Sequence, residues 1–237
     1  CMKIVLFGYG KMGREIEKTA LERGHEIVLK IHKDTEFSDQ ELAADVAIEF
    51  SQPESAVENI EKCFSVQLPV VVGTTGWYEH YKDICGQCRE QNASLLTATN
   101  FSIGVNLFFQ LNSQFARLMA KHPSYSPSIE ETHHTEKKDA PSGTAITLAE
   151  GILRENNTFT NWEKEQSNSK DSFPILSFRE ENVPGTHTVK YASDIDDLEI
   201  THTAHNRKGF ALGAVVAAEF IIGKKGIFNM EDVLKQK

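Results

Sequence analysis

Apolar and polar positions along the first hundred residues repeat one unit, a short apolar run followed by a helical pattern. Lys3-Ile-Val-Leu-Phe7 is the kind of run that a buried parallel strand needs. Across residues 14–23, Ile16, Ala20 and Leu21 form an apolar face at helical spacing, and Gly24 ends the helix. Residues 25–31 predict a second strand. The unit then recurs: a strand over 45–50 and a helix running to about Phe64, a strand over 69–72 and a helix over 78–91, a strand over 94–98 and a long helix over 104–121. Such alternation predicts a doubly wound parallel α/β sheet. Beyond residue 121 the pattern changes. Strands over 128–132, 174–178, 187–191 and 197–203 predict a mixed or antiparallel sheet, and so a second α+β domain. Between them a helix starts at Ser142, with Ile146, Ala149, Ile152 and Leu153 at helical spacing. Residues 156–172 are polar and read as a mobile loop. Helices over 213–220 and 226–234 close the chain.

The first strand runs directly into Gly8-Tyr-Gly10-Lys-Met-Gly13, the G-x-G-x-x-G spacing of a Rossmann-like dinucleotide site. The glycines allow a tight turn, close approach to a pyrophosphate, and close helix–strand packing. The strand–motif–helix–strand context separates this case from a chance match. The end of the second strand reads the adenosine ribose: a carboxylate suits the 2′-hydroxyl and a cation a 2′-phosphate. His32, Lys33 and Asp34 stand there. Lys33 and His32 favour NADPH, and Asp34 leaves NADH open. Ligands of such sheets bind beyond the carboxyl ends of the strands. Phe50-Ser51, Thr74-Thr75 and Asn100-Phe101-Ser102 all fall at such ends, so they form the expected rim.

The densest chemistry lies between Glu131 and Thr144. His133, His134, Lys137 and Lys138 precede a helix whose start is marked by Pro141 and an N-cap at Ser142. A helix start has unpaired N–H groups and attracts anions. The segment therefore reads as an anion site with proton donors beside it. Paired His and paired Lys also occur on solvated loops, and the N-terminal motif is what favours function here.

A formal net charge of −9 excludes a general nucleic-acid binder and requires a local basic patch for any anionic substrate. The longest apolar run, 211–222, contains Gly213 and Glu219 and is too short to span a bilayer. No secretory signal precedes the first strand, so a soluble cytoplasmic protein is expected. Cys1 precedes Met2, the expected natural start. Cys85 and Cys88 form a lone CxxC, read as ordinary thiols one helical turn apart, and no metal site is expected.

The string His133-His134-x-x-Lys137-x-Asp139-Ala140-Pro141-Ser142-Gly143-Thr144 carries a resemblance across the chain. With it go Gly73-Thr-Thr-Gly-Trp77, Ala98-Thr-Asn-Phe-Ser102, Gly185-x-His187 and the stretch from Ile200 to Arg207. In this order they resemble the dihydrodipicolinate reductase family, nicotinamide-dependent enzymes of diaminopimelate and lysine biosynthesis. The resemblance implies a dinucleotide-binding domain over 1–103 and 208–237, and a substrate-binding and oligomerisation domain over 104–207, assembled as a homotetramer. It implies catalysis by His133 and Lys137, with His134, Ser142, Gly143 and Thr144 holding the substrate carboxylates. Gly8, Gly10, Lys11, Met12 and Gly13 would line the pyrophosphate, with His32 and Lys33 at the ribose. Phe50, Ser51, Gly73, Thr74, Thr75, Ala98, Asn100, Phe101 and Arg207 would complete the site for NADPH, NADH or both. The chain departs from the family in three places. Only Tyr9 separates the first two glycines, His32-Lys33 replaces an acidic residue, and Thr135 and Glu136 stand where basic residues often lie.

The implied reaction is hydride addition to a cyclic imine dicarboxylate, followed by protonation. A histidine titrating near neutrality suits that proton transfer, and His133 and Lys137 are the expected pair. Hinge closure near 100–105 and 205–210 is also expected. Two other readings use the same residues: another two-domain dehydrogenase of amino-acid metabolism, and a nicotinamide-binding sensor without turnover.

Overall fold

The computed structural model describes residues 1–32, 35–167 and 169–235. The chain divides into two compact units, Cys1–Ile103 with Arg207–Lys237, and Gly104–Asn206. In chain order the first stretch contributes β1 (Lys3–Phe7), α1 (Lys11–Glu22), β2 (Glu26–Ile31), β3 (Val46–Glu49), α2 (Pro53–Ser65), β4 (Val70–Val72), α3 (Tyr81–Glu90) and β5 (Ser94–Thr97). Then follow α4 (Ile103–Met119), β6 (Ser126–His133), α5 (Gly143–Glu155), β7 (Asn161–Lys164), β8 (Ser172–Arg179), β9 (Gly185–Ala192) and β10 (Asp197–Ala204). The chain ends with α6 (Lys208–Ile221), β11 (Gly226–Phe228) and α7 (Met230–Lys235).

The first unit is a Rossmann-like parallel sheet in the order β11-β5-β4-β3-β1-β2. Its strands read as continuous apolar runs because both faces are covered. Side chains alternate between the faces. Ile4, Leu6, Val46, Ile48, Val71 and Leu96 pack with the apolar faces of α1 and α6. Val5, Phe7, Ala47, Val70, Val72 and Leu95 pack with those of α2 and α3. Cys85 and Cys88 are buried free thiols on α3.

The second unit is a five-stranded mixed sheet, β10-β9-β6-β8-β7. β6 and β10 run antiparallel to β9, while β8 runs parallel to both β6 and β7. Phe108, Asn112, Ala116 and Met119 of α4 are buried at helical spacing. The Asn112 amide nitrogen donates to the Leu148 carbonyl of α5 at 2.9 Å inside this core.

Four predicted elements differ in the structure. The helix expected over 14–23 begins at Lys11, because its first turn is the glycine motif and carries no apolar periodicity. The helix expected over 213–220 begins at Lys208, where a polar turn hides its start. The helix expected over 226–234 is two elements. Gly226–Phe228 adds a strand beside β5, and Asn229 then accepts from the backbone N–H groups of Glu231 and Asp232 to start α7. The loop expected over 156–172 contains β7, an edge strand left polar by its exposure. Among the described residues, no helix is long and apolar enough to cross a membrane.

α6 reaches the sheet only where its backbone can approach closely. A Cβ on Gly213 would lie 1.6 Å from the Phe101 carbonyl oxygen. Gly86 of α3 has open space around the same position. Overpacking of this kind costs on the order of 1–3 kcal/mol, so Gly213→Ala should lower Tm by roughly 3–10 °C. Thermal unfolding followed by circular dichroism, with Gly86→Ala as a control that keeps or raises Tm, checks this expectation.

Candidate functional site

In the first unit the glycine motif turns from β1 into α1 by backbone contacts alone. Gly8 has φ +87° and donates its N–H to the Ile31 carbonyl at 2.9 Å. A Cβ there would sit 2.2 Å from the Phe50 carbonyl oxygen, and one on Gly13 would sit 2.3 Å from that of Gly8. Gly10 caps α1 without a side-chain hydrogen bond, and the first turn carries no acidic residue. The helix start is thus open to an anion. Lys11 is exposed there, and Met12 packs partly into the core.

Beside this turn lies a cavity of about 1260 Å³ that brings Gly8, Gly10, His32, Phe50 and Ser51 together. Tyr9 also lines it, with its ring below Lys30 at 4.8 Å and edge-on to His32 at 5.4 Å. A glycine turn that admits no Cβ, an uncapped helix and a cavity of this size fit a dinucleotide. Lys33 and Asp34 lie outside the described residues, so the ribose-reading turn is represented by the exposed His32 alone.

Gly73, Thr74 and Thr75 follow β4, and Thr74 is fixed by the Trp77 indole, which donates to its carbonyl at 2.8 Å. Ala98 and Asn100 follow β5, and Asn100 accepts from the Ser102 backbone at 2.9 Å. Phe101 is buried, its ring 5.6 Å from that of Phe50, so it supports the rim as packing. Arg207 is exposed at the N-cap of α6. Glu49, at the end of β3, received no role from the sequence. It is fully buried, and its Oε1 accepts from the backbone and hydroxyl of Ser51 and from the Asn59 amide. Burial outweighs these bonds and raises its proton affinity.

In the second unit the period-two register of β6 buries Ile129, Glu131 and His133 on one face. Ser142 caps α5, its Oγ accepting from the Ala145 N–H at 3.2 Å. The Ser142 N–H donates to Glu131 Oε1 at 3.0 Å, and Ser177 Oγ donates to the same oxygen at 2.8 Å. Glu131 Oε2 faces His133 Nδ1 at 3.4 Å and His187 Nε2 at 3.7 Å. Gly143 is exposed at the first turn of α5, and Thr144 is half-buried beside it. Lys137 donates to both carboxylate oxygens of Asp139 at 2.8 Å. Arg179 ties this loop down, donating to the Lys137 carbonyl at 3.2 Å and the Asp139 carbonyl at 2.7 Å. His134 is half-buried at the end of β6.

The structure thus gathers His133, Ser142 and Lys137 around two groups the sequence left without roles, Glu131 and Arg179, with His187 between β6 and α5. The only sequence signal for Glu131 was a carboxylate in phase with buried positions of a strand. Glu131, His133 and His187 offer ligand atoms within 4.8 Å of one another, a donor set that could take a divalent ion. Glu131 already has protein donors for Oε1 and the Arg179 guanidinium 3.7 Å away, so its charge is compensated by the chain itself.

Burial alone would raise Glu131, but donors from His187, Ser142 and Ser177 hold it down to about 2. Desolvation and the neighbouring His187 lower His133 to about 4, against the opposing pull of Glu131. This corrects the near-neutral histidine expected at this position. At neutral pH His133 is an uncharged imidazole, because its site is dry and already faces Lys137, Arg179 and a second histidine.

Two family descriptions match the chain: "Dihydrodipicolinate reductase, N-terminus" over residues 2–101 and "Dihydrodipicolinate reductase, C-terminus" over residues 104–234. A 4-hydroxy-tetrahydrodipicolinate reductase of Christiangramia forsetii is 51% identical over 234 residues, covering 98% of each chain. One from Neisseria meningitidis serogroup C is 35% identical over 198 residues, covering 81% of this chain and 72% of the relative. Among solved structures, a dipicolinate-bound dihydrodipicolinate reductase from Paenisporosarcina sp. TG-14 superposes with a TM-score of 0.76. It covers 96% of this chain and 97% of its own, and at 24% identity the match speaks for the fold alone.

The lowered affinity of His133 has a signed consequence for stability. Between about pH 4 and pH 6.5 the unfolded chain binds a proton that the native site refuses. The native state is therefore favoured above that window and loses the advantage as pH falls through it. Tm should drop more steeply from about pH 7 to about pH 4.5 in the wild type than in His133→Gln. Equal slopes in parallel melting series would contradict a neutral buried His133.

Proposed function

We infer the chemistry from one premise: the chain belongs to the dihydrodipicolinate reductase family. It is a nicotinamide-dependent oxidoreductase that reduces 4-hydroxy-tetrahydrodipicolinate in lysine and diaminopimelate biosynthesis. The nicotinamide, when bound, supplies the hydride. The chain's residues bind, orient and manage a proton.

In our assignment Gly8, Gly10, Lys11, Met12 and Gly13 receive the pyrophosphate, and His32 and Lys33 the adenosine ribose. Phe50, Ser51, Gly73, Thr74, Thr75, Ala98, Asn100, Phe101 and Arg207 serve the rest of the dinucleotide. The open start of α1 and the adjoining cavity support this reading. The substrate carries two carboxylates. One goes to the start of α5 at Ser142, Gly143 and Thr144, the helix end that favours an anion. The other goes to His134 and Lys137. The observation that carries the assignment is the approach of this helix start to Glu131 and His133 of β6, with Lys137 on the loop that follows.

His133 and Lys137 handle the proton. His133 is neutral until a dianion arrives, and a nearby negative charge then raises its proton affinity. Lys137 exchanges its Asp139 partner for a substrate carboxylate. We also propose a cytoplasmic homotetramer. Its support is the apolar surface of the second unit, where Phe178, Ile195 and Leu198 are exposed on or between strands.

Fresh substrate made by coupling the preceding synthase reaction, with NADPH or NADH loss followed at 340 nm, tests the function. Consumption should depend on the synthase product, and the ratio of the two rates defines cofactor preference. Lys137→Ala should lower kcat by roughly 10²–10⁴-fold, with the NADPH dissociation constant nearly unchanged. A large loss of NADPH binding in that variant would contradict the assignment. Light scattering coupled to size exclusion should report four times the chain mass, and a monomer would refute the tetramer.

A further inference from the structure

Glu131 has no exposed surface. A carboxylate in that position is tolerated only if donors replace its water. Those donors come from separate elements, and each belongs to the substrate site or braces it. Oε1 takes the Ser142 N–H, the Ser177 hydroxyl of β8 and, at 3.7 Å, the Arg179 guanidinium. Oε2 faces Nδ1 of His133 and Nε2 of His187. The Ser142 Oγ accepts from the Ala145 N–H and lies 3.2 Å from His187 Nε2, while the buried Ser142 N–H has Glu131 as its partner. His133 Nδ1 is likewise buried and has no hydrogen-bond partner among the described residues. An anion facing Nδ1 favours the tautomer with its proton there and leaves Nε2 as the acceptor.

We propose that Glu131 is a positioning residue of the reductase reaction, one oxygen fixing the α5 start that receives a substrate carboxylate and the other fixing the tautomer of His133. The proposal rests on the substrate assignment made above. It gives His133 a definite resting form, with Nδ1–H towards Glu131 and an unprotonated Nε2. The imidazole accepts a proton before it can pass one on. The other charged or titratable groups facing His133 are His187 from β9, Arg179 from β8, and Lys137 from the loop after β6. All of these oppose its protonation, and Glu131 alone favours it.

The test compares wild type, Glu131→Gln and Ser177→Ala in the coupled assay across pH. Glutamine keeps the volume and removes the charge. Its kcat should fall about 10–100-fold, the range of supporting residues behind a reactive group. KM for the cyclic dicarboxylate should rise, the NADPH dissociation constant should stay within about twofold, and the acid limb of kcat/KM should move to lower pH. Ser177→Ala removes one donor to Oε1 and should raise KM a few-fold with a smaller change in kcat. It keeps the test decisive if Glu131→Gln does not fold. Wild-type turnover with unchanged kinetics in both variants would overturn the proposal and leave the function standing. A lowered Tm with normal kcat and KM would reduce Glu131 to a structural group and also overturn it. Loss of wild-type activity on dialysis against EDTA would make Glu131 a metal ligand instead. Absence of wild-type turnover would remove the functional reading and this proposal together.

Discussion

A carboxylate without water must be surrounded by donors, and Glu131 imposes that requirement on the second unit. Its oxygens draw β6, β8, β9 and the start of α5 to one point. The helix start that suits an anion is therefore placed by an anion already inside the fold. Desolvation, His187, Lys137 and Arg179 keep His133 uncharged against the pull of Glu131.

The first unit contains a counterpart with the opposite outcome. Glu49 is also a buried carboxylate at the end of a strand, held by Ser51 and Asn59. All its partners are neutral, and burial wins, so its proton affinity rises. Glu131 takes donors from His187, Ser142 and Ser177 that together outweigh burial, and its affinity falls. The contrast follows from the donors, since desolvation opposes charge in both cases. Glu49 holds Ser51 at the rim of the cavity beside the glycine turn, much as Glu131 holds Ser142.

Much of this organisation was legible in the chain. The apolar runs of β1, β3, β4 and β5 state a sheet covered on both faces, because a strand with one wet face would alternate. The glycine motif states its own turn, since Gly8 and Gly13 occupy places where a side chain would strike backbone. The His133 to Thr144 string confined the expected substrate site to one loop and one helix start. The signal weakened where polarity replaced periodicity. α6 begins with a polar turn, β7 is a polar edge strand, and the Gly-Ile-Phe of β11 becomes a strand only because β5 offers an open edge.

Local pattern determined which segments are helices and strands, the class of both sheets, and the motifs that bring nucleotide and dicarboxylate chemistry to this chain. These are properties of neighbours in sequence, so periodicity and spacing record them. Tertiary structure decided the protonation of His133, the partners of Ser142 and the contacts among Glu131, His187 and Arg179. Those depend on burial and on groups up to 56 residues apart, as with Glu131 and His187. Charge stabilisation acts through space, and no spacing along the chain encodes which donors will surround a carboxylate once water has been excluded.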